Sequence, residues 1–117
     1  MTIFTFTDLM NSDSSEPRII EAEITLLAPE NGGRKSPVYG EYSFRPNHNF
    51  GDINNRCFYI GQIELDEKDV FLPGETKTLM VTFIDGKGLE ELLTVGREWS
   101  IQRGSDVIGK GIVKHVF

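Results

Sequence analysis

RIIEAEITLL, from Arg18 to Leu27, places Ile20, Ala22, Ile24 and Leu26 at every second position, with Glu21, Glu23 and Thr25 between them. Successive side chains of an extended chain point to opposite faces, so the segment reads as a strand with one face on a core and one in water. Cys57 to Leu65 repeats the pattern, with Cys57, Tyr59, Gly61, Ile63 and Leu65 on one side. Thr76 to Ile84 does so again through Leu79, Val81 and Phe83. Three alternating segments separated by turn residues predict an all-β domain.

The rest of the chain fits between these strands. Residues 1–18 form an N-terminal segment, in which Ile3, Phe4 and Phe6 suit a short edge strand and Asn11 to Pro17 a loop. Pro29-Glu30-Asn31-Gly32-Gly33 ends the first strand, with glycines where positive φ is cheap. Tyr39 to Arg45 is expected to be a second strand, closed by Pro46, and the polar run Asn47 to Arg56 a loop carrying His48 and Asp52. Pro73-Gly74-Glu75 is a turn, and GLEELL within Lys87–Val95 is the single helix-like pattern, one or two turns long. Trp99 and Ile101 belong to a short strand, with Trp99 a core residue rather than a ligand-stacking ring. After a hairpin turn at Gly104-Ser105-Asp106 comes a closing strand, Val107 to Phe117, with Ile108, Ile112 and Val116 on one side. Gly109 and Gly111 in that strand suggest a bend or bulge, as barrels need at a corner. The sum is about six or seven strands in one sandwich or barrel over residues 19–117, without repeats or βαβ alternation.

Composition narrows the function. At 117 residues the chain suits one domain, and its 38% apolar and 26% charged residues suit a folded globule. No apolar run approaches the ~20 residues of a membrane span, and MTIFTFTDLM lacks the basic start and cleavage site of a signal peptide. Cys57 is the sole cysteine, which excludes a disulfide within the chain and suits a reducing cytoplasm. A net charge of −6 disfavours nonspecific nucleic-acid binding and suits solubility or a partner with a basic face.

No sequence pattern supplies catalysis. GxxxxGK[ST], GxGxxG after a strand, HExxH, paired CxxC and GxSxG do not occur. His48, His115 and Cys57 are scattered without ligand spacing, so no metal and no cofactor is expected. Cys57 with His48 as its base, nine residues away, is the one nucleophile pairing to weigh. A small hydrophobe starting the apolar face of a strand is the better reading of that thiol. His115 reads as a surface side chain. Arg34 and Lys35 beside Gly32-Gly33 form either an ordinary solvated turn or a place where backbone amides and two cations hold an anion, a phosphate or a partner's carboxylate.

Several local features also recur in a specific order. EAEITLL (Glu21–Leu27) leads into NGGRKSPV (Asn31–Val38), then FRP (Phe44–Pro46) and GQIEL (Gly61–Leu65). LPGE (Leu72–Glu75), MVTFI (Met80–Ile84), VGREWSIQRG (Val95–Gly104) and VIGKGIV (Val107–Val113) follow. The series resembles the third, C-terminal domain of translation elongation factor Tu, across about residues 19–116. That resemblance implies a six-stranded antiparallel Greek-key barrel. In the full factor this domain packs on a GTPase domain and a middle barrel, touches the backbone of aminoacyl-tRNA, and in bacteria contacts the exchange factor. Without a phosphate loop, no GTP binding is expected of this chain. The family turn carries a lysine and a glutamate ahead of GGR, where this chain has Pro29 and Asn31, which weakens a carried-over tRNA contact. Arg34, Gly32 and Gly33 are retained. Ser43 stands in a family glycine-tyrosine run, and the stretch between Pro46 and Gly61 is longer and Asn-rich.

The resulting expectation is a stand-alone, non-catalytic binding module, cytoplasmic, with a protein partner and a link to translation. Its candidate surface is Gly32, Gly33, Arg34, Lys35, Arg45 and His48, with Asn54 nearby. The alternatives are binding of tRNA or another RNA, and a small acidic immunity or antitoxin-type protein. No membrane association is expected.

Overall fold

The first alternating segment becomes strand β1 (Arg18–Leu26), and Ile20, Ala22, Ile24 and Leu26 along it are all fully buried. A computed structural model of the protein describes residues 17–51, 58–84 and 88–117. Seven further strands follow: β2 (Val38–Tyr39), β3 (Asn47–Asn49), β4 (Tyr59–Glu64), β5 (Val70–Phe71), β6 (Thr76–Phe83), β7 (Glu98–Arg103) and β8 (Asp106–Val116). Six of them close a ring in the order β1-β6-β4-β3-β7-β8, every pairing antiparallel. β3, β4 and β6 run as a meander and β7 returns beside β3, which is a Greek key. β2 and β5 pair with each other outside the ring.

The barrel confirms the all-β, six-stranded antiparallel expectation and changes several details. Tyr39–Arg45 is not one strand. The chain leaves β2 in a turn, where the Tyr42 N–H donates to the Tyr39 carbonyl at 3.1 Å, and returns only at Phe44, bridged to Ile63. Gly40 enforces the departure, since a Cβ there would sit 1.7 Å from the backbone oxygen of Asp66. The expected loop from Asn47 begins instead as β3, held between β4 and β7. GLEELL forms turns, not a helix, over its described part, and Leu89 and Leu93 are buried with the core. The suggested N-terminal edge strand, Asp52, Asn54 and Cys57 lie outside the described residues.

The closing strand β8 has a bulge that reverses its inner face. Ile101 lies opposite Gly109 and Gln102 opposite Val107, so Ile108 is the additional residue. Beyond it the inward positions are Gly109, Gly111 and Val113, while Ile112 is half-buried and Val116 exposed. The sequence expectation that Ile108, Ile112 and Val116 share a face fails at Ile112 for this reason, because a bulge switches the parity of a period-two pattern. A second register shift, between Val113 and His115, switches it back, so that Val116 lies opposite the buried Ile20 near the end of the strand. Gly111 has a second cause beyond bending. It lies opposite Trp99, and a Cβ there would stand 2.4 Å from the indole ring.

Candidate functional site

One end of the barrel gathers cations from three segments distant in sequence. Pro29–Asn31 forms a 3-10 turn that Gly32 ends at φ 88°, and the Gly33 N–H donates to the Ala28 carbonyl at 3.0 Å. Gly33 packs so closely that a Cβ would fall 1.9 Å from the Leu27 carbonyl oxygen. The two glycines therefore do different jobs, one allowing a left-handed residue and one allowing contact with backbone. Together they deliver Arg34 to the barrel rim. Its Nε donates to the Ser36 carbonyl at 2.7 Å, its Nη2 approaches Ser36 Oγ at 3.3 Å, and the guanidinium stands 6.0 Å from the Phe44 ring centre. Its Nη1 has no partner among the described residues.

Arg103 arrives at the same place from the end of β7. Burial first, and then the charge of Arg103, hold Arg34 below the ordinary arginine pKa. Among the described residues neither arginine has a carboxylate partner. Two clefts flank the pair. One, about 260 Å³, is lined by Arg34, Phe44, Arg45, Gln102 and Arg103 among others. The other, about 390 Å³, adds Gly32, Gly33, Lys35 and Asp106, and both share Arg34, Arg103 and Ile108. Arg45 is steadied by its Nε donating to Gln62 Oε1 at 2.8 Å. Two neighbouring guanidinia with open donors, in a chain of net charge −6, form a local basic site suited to an oxyanion such as a carboxylate or phosphate.

Five of the six sequence candidates, Gly32, Gly33, Arg34, Lys35 and Arg45, thus meet around these clefts. His48 does not, and its placement on the surface is corrected. It is 0% exposed, with its ring edge against Phe83 at 5.0 Å between centres. Indole N–H can only donate, so Trp99 Nε1 donates to His48 Nδ1 at 3.0 Å, and His48 Nε2–H donates to the Gly61 carbonyl at 2.9 Å. Burial pushes the His48 pKa down to about 4, partly opposed by the Gly61 carbonyl. With both ring nitrogens engaged, the imidazole is a buried structural group. Its neighbour Asn49 is buried too, its Nδ2 donating to Gln102 Oε1 at 2.8 Å. These internal partners are why a polar-looking run enters the barrel.

Sequence reading missed Arg103. Nothing local distinguishes it, since its proximity to Arg34 exists only once β7 and the turn after β1 meet at one rim. Trp99 takes the core position expected of it, and His115 is exposed. No helix among the described residues is long and apolar enough to cross a membrane. No protein-family model matches the chain.

Proposed function

We propose that the protein is a non-catalytic binding module that docks a protein partner through the arginine end of its barrel. The observation that carries this reading is the pair Arg34 and Arg103, neither in an ion pair among the described residues, which together line two open clefts. Arginine is enriched at interface hot spots because its planar fork binds carboxylates bidentately and its flat face packs on other surfaces. An acidic segment of the partner would place one carboxylate between the two guanidinia and rest its backbone near Gly32 and Gly104. The ordered motifs resembling the third domain of elongation factor Tu favour a partner in translation and a cytoplasmic setting.

The test is affinity capture with the purified chain and with an Arg34→Glu/Arg103→Glu variant, followed by reconstitution from purified components. One partner should bind the native chain and be lost on charge reversal, while the far-ultraviolet circular dichroism stays the same. A reconstituted complex indifferent to both substitutions sinks the reading. The grouping of Lys35 with three arginines also supports an RNA reading, in which each cation neutralises one phosphate. That reading requires an affinity for tRNA that falls with salt at a log–log slope of about −3 to −4.

A further inference from the structure

The two faces of the β2–β5 sheet differ in kind. Val38 and Phe71, opposite each other, are buried in the core. Tyr39 and Val70, the other pair, are 47% and 39% exposed. Leu72, two residues past Val70, is 47% exposed, and Tyr42 is 68% exposed. Four of the nine large apolar side chains exposed among the described residues therefore cluster on this one small sheet and the turn leaving it. Scattered apolar groups on a surface need no explanation, but a contiguous patch marks a docking site.

The patch is held firmly and rimmed with negative charge. Loop Asp66–Asp69 is clamped to the turn after β2, with the Gly40 N–H donating to the Asp69 carbonyl at 2.8 Å. The Asp66 carboxylate accepts the Lys68 backbone N–H at 2.9 Å, which fixes the loop internally. Glu41, Asp66, Glu67 and Asp69 are all exposed, none is in an ion pair among the described residues, and Lys68 is the one cation in that loop. Such a rim repels nucleic acid and anionic lipid headgroups. It also opposes pairing with a second copy, because a two-fold contact would bring the two acidic rims together.

From this we infer that the outer face of β2–β5 is a second docking site, distinct from the arginine end, and that it takes a cationic amphipathic segment of a partner protein. Aliphatic side chains of that segment lie on Tyr39, Tyr42, Val70 and Leu72, and its lysines or arginines meet Glu41, Asp66, Glu67 and Asp69. The clamped loop means that little ordering is required on the side of this chain, so affinity depends on the peptide.

The full-length chain can be titrated, by fluorescence anisotropy, with a helical peptide of about 18 residues carrying leucines on one face and lysines on the other. A scrambled peptide of the same composition is the control. Saturable binding is expected, at least about tenfold tighter than for the scrambled peptide and weakened at least about tenfold by Tyr42→Ser/Leu72→Ser. Glu41→Lys/Asp69→Lys should weaken it more at about 50 mM than at about 300 mM salt. Arg34→Glu/Arg103→Glu should not weaken it, which separates this site from the arginine end. Equal binding of the scrambled peptide, no binding, or binding indifferent to Tyr42→Ser/Leu72→Ser overturns the inference. So does a sedimenting dimer that Tyr42→Ser/Leu72→Ser dissolves, since that assigns the face to a second copy.

Discussion

The barrel interior and the arginine rim both contain polar side chains, and they treat them in opposite ways. Inside, His48, Trp99, Asn49 and Gln102 meet one another or the backbone at 2.8 to 3.0 Å. At the rim, Arg34 keeps Nη1 unused close to the charge of Arg103, and neither arginine has a carboxylate partner among the described residues. An unsatisfied group is expensive in the first setting, because no water can reach it, and nearly free in the second. Satisfied polar groups therefore mark where the chain specifies its own structure, and the open donors at the rim are what the proposed docking would use.

Removing the indole should break the interior most severely. Trp99→Ala deletes a buried ring stacked on Phe50 at 5.3 Å and leaves His48 Nδ1 without its donor. Urea unfolding should show a loss of about 3–5 kcal/mol. Trp99→Phe, which keeps a ring and removes the N–H, should lose about 1–3 kcal/mol. Similar losses for both would mean that ring volume is irrelevant and the hydrogen bond alone holds the site.

Acid should attack the same place. The His48 pKa falls from 6.5 in the unfolded chain to about 4 in the barrel, so between those values the unfolded chain binds more protons than the folded one. The contribution of His48 is fully present above pH 6.5 and is lost as pH falls towards 4. The loss over that window is about 3 kcal/mol. Protonation also places a hydrogen on Nδ1, where the Trp99 N–H already points. His48→Gln should flatten the difference between stability curves measured at the two ends of the window. A pH dependence unchanged by that substitution would remove His48 as its source.

How much of this was readable in the sequence depends on the range of the interaction involved. β1 was legible residue by residue, because a half-buried strand writes its environment as a period of two. β8 was legible as a strand and illegible in its facing, because the bulge at Ile108 is set by register with β7 rather than by local composition. β3 was unreadable for a related reason. A three-residue strand has too few positions to show a period, and His48 and Asn49 look like loop residues until Trp99 and Gln102 are brought beside them. At the rim, the glycine turn and Arg34 were visible as a motif, whereas Arg103 joins them only through barrel closure. The exposed face of β2–β5 was hidden in a segment that reads as one strand from Tyr39 to Arg45, since the clamp that breaks it comes from Asp66 and Asp69.

The smallest expected effect is the one that tests the comparison from its other side. Arg103→Ser removes a cation from the rim that has no partner among the described residues and that disfavours the charge on Arg34. Substitutions at such exposed positions change stability by no more than about 0.5 kcal/mol. Relief of like-charge repulsion sets the sign, so urea midpoints should stay level or rise slightly, more visibly at low salt, where screening is weakest. A residue maintained for the fold would behave in the opposite way. A clear destabilisation by Arg103→Ser would show that its guanidinium is already engaged within this chain, and the rim would then belong with the interior as self-satisfied structure. A level or raised midpoint, together with loss of the protein complex on Arg34→Glu/Arg103→Glu, leaves recognition as the reason two guanidinia are held side by side.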